Sequence, residues 1–166
     1  MRNAMLFAVA VLPSIAYSEI PSDYSPLVVE APFSLSERVF DLTQAIAQAK
    51  SHNKPMFIYV GAADCGPCRE YKSFLAKNRA DLQAAFSRVM VVDVRTWLKG
   101  PPIKFRVGRN LYSFADFKIL TGDKNVPLVY PYHWLLSADL QQIKQLPLGS
   151  ADYMSVETHT ALLQFP

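Results

Sequence analysis

The 166-residue chain holds two cysteines, three histidines and six glycines, and each scarcity excludes a class of protein. Two cysteines cannot build a small disulfide-stapled scaffold. None is needed, because a chain of this length buries roughly 70% of the surface its unfolded form exposes. His52, His133 and His159 lie far apart with no metal-ligand spacing among them, so no metal site is expected. Six glycines exclude a collagen-like or glycine-rich repeat. An excess of one charge is also lacking: 17 basic and 14 acidic side chains leave +3, too little and too dispersed to make nucleic acid the expected partner. Apolar side chains, by contrast, are plentiful, at 51% hydrophobic and 12% aromatic residues, which is the composition of one ordinary globular domain.

A long membrane-crossing run is missing too. Arg2 supplies a positive start and residues 4–16 (AMLFAVAVLPSIA) an apolar stretch, shorter than the ~20 residues of a spanning helix and of the length of a secretory core. Residues 1–18 therefore read as a signal peptide. Ser14, Ala16 and Ser18 allow cleavage after Ala16 or after Ser18, and the mature protein is expected in the periplasm or the extracellular medium.

Residues 19–35 carry Pro21, Pro26 and Pro32 and are expected as an extended lead-in on the surface, outside the domain proper. From Ser36, a capping residue, Val39, Leu42, Ile46 and Ala49 recur at helical spacing and predict a first helix ending at His52-Asn53. Residues 56–60 (MFIYV) predict a strand buried on both faces and ended by Gly61; 89–94 (VMVVDV) predict a second. Between them Tyr71, Phe74, Leu75, Leu82 and Phe86 are spaced for a helix broken near Asn78. Strand, helix and strand make a βαβ unit, so the two strands are expected to be parallel, with chemistry at their carboxyl ends. Residues 95–124 hold seven basic and two acidic side chains, with a short helix predicted between Ser113 and Gly122. The aromatics there (Trp97, Phe105, Tyr112, Phe114, Phe117) suit either a docking face or a small satellite cluster under a loop. Residues 128–136 and 141–148 predict a hairpin in which Pro131 fits poorly, and Gly149-Ser150 introduce a last helix.

The most specific signal is Asp64-Cys65-Gly66-Pro67-Cys68, which places both cysteines at a strand-to-helix junction. One helical turn brings residues i and i+3 to the ~5–6 Å Cα separation of a disulfide, so the pair can open and close with little backbone movement. With Cys65 as the N-cap, Gly66 and Pro67 fill the first turn, where an absent proline N–H costs nothing. The Cys65 sulfur then faces free N–H groups and the positive end of the helix dipole. That favours its thiolate as the exposed, attacking nucleophile, with Cys68 one turn in to resolve a mixed disulfide. A merely structural bridge closing four residues stabilises by only roughly 2 kcal/mol on the loop-closure model, and two thiolates are too few for a metal.

On these residues the chain resembles the thioredoxin superfamily over 36–164. The resemblance lies in Cys65-Gly66-Pro67-Cys68, in Lys54-Pro55 before the strand, in Val126-Pro127 opening a later strand and in Gly149 before the final helix. It implies an α/β, thioredoxin-like fold: a central mixed sheet flanked by helices, domain 36–166, with 95–124 as an insertion before a cis-proline loop. It further implies that Pro127 is that cis-proline facing the disulfide, that Val126 offers backbone groups to a bound substrate strand, and that Gly149 lies on the substrate side.

Two departures stand out: Asp64 occupies the place usually held by Trp, and Tyr59 the place of a buried acid six residues ahead of the first cysteine. Asp64 disfavours the Cys65 thiolate, and Arg69 at i+4 offsets it in part. The implied activity is thiol-disulfide exchange on protein disulfides without a cofactor beyond the cysteine pair. The expected protein is a monomeric periplasmic reductase fed by a membrane electron donor, the alternatives being a disulfide oxidase or isomerase, or a redox-weak binding or assembly factor.

Overall fold

The computed structural model describes residues 20–125 and 127–165; the signal-peptide reading of 1–18 and the assignment to Val126 lie outside the described residues. Strands and helices follow in the order β1 (Leu27–Glu30), β2 (Arg38–Asp41), α1 (Thr43–His52), β3 (Met56–Ala62), α2 (Gly66–Lys77), α3 (Arg79–Phe86), β4 (Met90–Thr96), β5 (Ile103–Val107), β6 (Asn110–Ser113), α4 (Phe114–Thr121), β7 (Tyr132–Leu136), β8 (Gln142–Lys144) and α5 (Val156–Leu162). Short 3-10 turns occupy Ser22–Tyr24 and Ala151–Tyr153.

The two apolar runs do form a parallel pair, β3 with β4, in register from Met56↔Met90 to Ala62↔Thr96. They lie at the centre of a five-stranded mixed sheet ordered β1-β4-β3-β7-β8, in which β7 is antiparallel to β3. Every residue of β3 is buried, as a strand covered on both faces requires. Because side chains alternate along a strand, β3 splits its residues between two cores. Phe57 and Tyr59 meet α2, α3 and the turns around Tyr24 and Tyr153. Met56, Ile58 and Val60 meet α1, α4 and a smaller sheet ordered β2-β5-β6.

Four expectations need correction. Residues 38–41 are strand, not helix: β2 pairs in parallel with β5, buries Phe40 and leaves α1 to start at Thr43, whose N–H is accepted by Asp41 Oδ1 at 2.9 Å. Partner pairing there overrides a helical spacing that begins too early. The lead-in is not a surface strap, since β1 is the edge strand beside β4, Ile20 and Tyr24 are buried, and Tyr24 Oη donates to the Leu75 carbonyl at 2.8 Å. The later strand begins at Tyr132 rather than 128, directly after a cis Tyr130–Pro131 bond, which places Pro131 outside the ladder it could not join. The last helix starts after Ser155, whose Oγ caps the Thr158 N–H, rather than at Gly149-Ser150.

Residues 95–124 send a few side chains into the main core. Ile103, Phe105 and Phe117 are buried, and Phe105 and Phe117 pack with Trp134 at ring separations of 4.6–5.7 Å. The short helix predicted between Ser113 and Gly122 is present, with Ser113 Oγ accepting from the Asp116 N–H and Gly122 closing α4 at φ +76°. Just beyond, the Asp123 carboxylate accepts from Tyr132 Oη, Trp134 Nε1, Gln145 Nε2 and the Asn125 N–H, fastening β7 to the end of α4.

On the opposite face two histidines are buried among rings. His133 lies 4.1 Å from the Tyr153 ring and 5.1 Å from Tyr71, and His159 Nε2 is hydrogen-bonded to Tyr71 Oη at 2.7 Å. Burial pushes His133 well below the usual imidazole range, helped by the neighbouring His159, and holds His159 down at about 4. Both are neutral in the fold and protonate readily once unfolded, so their burial stabilises fully above pH ~6.5 and progressively less as pH falls toward 4. The unfolding midpoint in urea is expected to drop by the equivalent of a few kcal/mol across that window and to drop less in His159→Gln. A midpoint independent of pH there would contradict the neutral, buried assignment.

Candidate functional site

The site forms where β3 runs out. Gly61 is obligatory there because the buried Tyr59 ring, stacked on Tyr71 at 5.5 Å, lies across it and would collide with any Cβ. The chain then turns, the Cys65 N–H donates to the Ala62 carbonyl at 3.1 Å, and α2 begins at Gly66. Cys65 is the N-cap, with extended backbone at φ −97° and ψ 122°; its sulfur accepts the Cys68 N–H at 3.1 Å, and proline occupies the first turn. Cys65 and Cys68 are joined by a disulfide with Cα atoms 5.3 Å apart. The position expected for each cysteine is therefore the position found.

In this disulfide-bonded form Cys65 exposes 2% of its surface and Cys68 none. Tyr130, half-buried, packs against the small buried cluster formed by Ala62, Cys65 and Cys68. Burial holds its phenol above the ordinary tyrosine value, with the Arg38 charge opposing. Sequence reasoning missed Tyr130. The misfit of Pro131 in a strand was the available signal that the chain does something other than pair at that point.

Asp64 is anchored rather than free, its Oδ1 accepting the Leu98 N–H at 2.8 Å. Arg38 holds the same loop from β2, donating from Nε to the Pro101 carbonyl at 2.7 Å and from Nη1 to Thr96 Oγ1 and the Trp97 carbonyl, both at 2.6 Å. Arg69 is exposed and makes no ion pair with Asp64 among the described residues. Pro127 is exposed in a bend ahead of the Tyr130–Pro131 bond, and Gly149, at φ +72°, faces Val129 of that same loop. A buried acid does exist, one strand away from Tyr59: Asp93, opposite it in register, is fully buried and accepts from Arg95 Nε at 3.2 Å. Its sequence signal was the lone carboxylate within VMVVDV.

Compared with models of known protein families and with curated proteins, the chain matches none. Among the described residues no helix is long and apolar enough to cross a membrane.

The packing of Tyr130 on this cluster is testable. Tyr130→Ala removes the ring from Cys65, and after reduction a neutral alkylating reagent is expected to modify Cys65 several-fold faster than in the parent protein. An unchanged rate would mean that Tyr130 does not limit access.

Proposed function

We propose that this protein is a thiol-disulfide oxidoreductase of thioredoxin-like fold, exported from the cytoplasm, that acts on protein disulfides through Cys65 and Cys68. The observation carrying this reading is the Cys65 sulfur at the N-cap of α2, accepting the Cys68 N–H inside a disulfide that closes only four residues. Such a bridge contributes little as a staple, whereas a sulfur at a helix N-terminus is stabilised as thiolate when the bridge opens.

In the reductive direction the Cys65 thiolate attacks one sulfur of the substrate disulfide. A Cys65–substrate bond forms, the substrate bond breaks, and the departing sulfur leaves with the electron pair and takes a proton from solvent. Cys68, deprotonated, then attacks Cys65, closing the Cys65–Cys68 bridge and releasing the second substrate thiol. Two electrons pass from the dithiol to the substrate, and no cofactor is required. Run backwards, the same steps oxidise a substrate dithiol. The Gly66-Pro67 pair resembles reductive members of the superfamily, and a reductase in an oxidising compartment requires a donor, for which a membrane dithiol protein is the proposed class. The substrate-facing role that the resemblance gave to Val126-Pro127 passes in this reading to the segment holding Tyr130, which packs against the Ala62, Cys65 and Cys68 cluster, with Gly149 beside Val129 of the same loop. The near-complete burial of Cys65 favours a second reading, a binding or assembly factor that keeps its bridge closed.

Trapping distinguishes the two. Cys68→Ser, expressed in an exporting bacterial host, is expected to accumulate mixed disulfides with other proteins, visible as bands that a reductant removes; Cys65→Ser is expected to accumulate none. No adducts with either variant would support the binding factor, and equal adducts with both would overturn the assignment of nucleophile and resolving thiol.

A further inference from the structure

A groove of about 520 Å³ opens next to the disulfide, between the chain linking β1 to β2 and the loop after β4. Pro32 and Phe33 line one wall, Arg38, Trp97 and Lys99 the other, and the lining includes Ala63, two residues before Cys65. Two large apolar side chains of its lining stand in water, Phe33 at 91% exposure and Trp97 at 59%. Scattered exposed apolar residues are ordinary, but a cluster on the rim of a groove marks an interaction site.

Both walls are held. Asp64 and Arg38 fix the Trp97 loop by three hydrogen bonds, and Ser34 Oγ accepts the Ser36 N–H at 3.2 Å and the Glu37 N–H at 3.4 Å across the facing turn. A wall that is already ordered loses little freedom when a ligand arrives. Cations outnumber acids around it, with Arg38, Arg95 and Lys99 in the lining against Glu30. From Arg95 to Arg109 there are five basic residues and no acid, and Lys99, on the groove, has no ion-pair partner among the described residues. Arg95 is committed to Asp93 and Glu30, and Lys104 to Glu37 at 2.6 Å, so Lys99 is the groove cation available to a partner from this series.

We propose that this groove docks an extended segment of a partner polypeptide, with an apolar or aromatic side chain laid against Trp97 and Phe33 and carboxylates beside it facing Lys99. That the partner is the protein whose disulfide reacts at Cys65 rests on the function proposed above; the docking itself does not.

Trp97 supplies the probe, because the chain's other tryptophan, Trp134, is buried. A short cysteine-free peptide with a central Phe flanked by Asp residues is titrated into the mature protein and tryptophan emission is followed, with the Lys-for-Asp peptide as comparison. The acidic peptide is expected to bind saturably and shift the emission, with affinity falling as salt rises and roughly tenfold weaker in Lys99→Glu. Phe33→Ser, on the opposite wall, is expected to weaken binding to a similar degree, and Trp97→Phe to abolish the optical signal. Equal binding of both peptides, or none by either, would overturn the proposal. The same peptides joined to a disulfide separate the two claims. Binding without any exchange would sink the redox function and leave the groove standing, whereas exchange that ignores the flanking charges would do the reverse.

Discussion

The amide of Cys68 donates to the sulfur of Cys65, and that contact requires a strand end and a helix start to coincide. A helix leaves its first N–H groups without intrahelical partners, and an N-cap that satisfies one stabilises the helix by about 1 kcal/mol. Here the cap is a sulfur, so the end of the helix that needs an acceptor is also the end that favours a negative charge on it. The remainder of the fold fixes where this happens. The buried β3–β4 pair sets the height of the strand end, Gly61 lets the chain pass the Tyr59 ring, and α2 is pinned beneath by Tyr71, Phe74 and Leu75.

Asp64 shows how placement changes the meaning of a charge. In sequence, a carboxylate beside a nucleophilic cysteine is a perturber of its ionisation. In the fold it is an anchor, accepting the Leu98 N–H and thereby joining the loop that carries Trp97 to the residue before the reactive pair. Arg38 completes the same loop from a strand that pairs with β5. The surface beside the disulfide is thus built by residues far apart in sequence, and its order depends on the second, smaller sheet.

Much of this was legible beforehand because it is local. The CxxC spacing, the break near Asn78, the short helix between Ser113 and Gly122 and the two apolar strands each depend on neighbours within a turn or two, and each is found as expected. What was missed is non-local. Residues 38–41 are strand because β5 lies beside them, Ile20 and Tyr24 are core because α2 and α3 offer them a face, and Tyr130 meets the cysteines because β7 returns antiparallel to β3. Aromatics in 95–124 divide the same way. Nothing in their spacing separates Phe105 and Phe117, which enter the core, from Trp97, which stays in water.

The central claim is that the Cys65–Cys68 bridge opens and closes in service rather than holding the fold. Its reduction potential, measured by equilibrating the mature protein with glutathione buffers and quantifying free thiols, tests this most directly. Exchange-active pairs fall between about −270 and −120 mV, and the account predicts a value in that interval. A potential below about −300 mV, the range of bridges that resist reduction, would mark the pair as structural and contradict it.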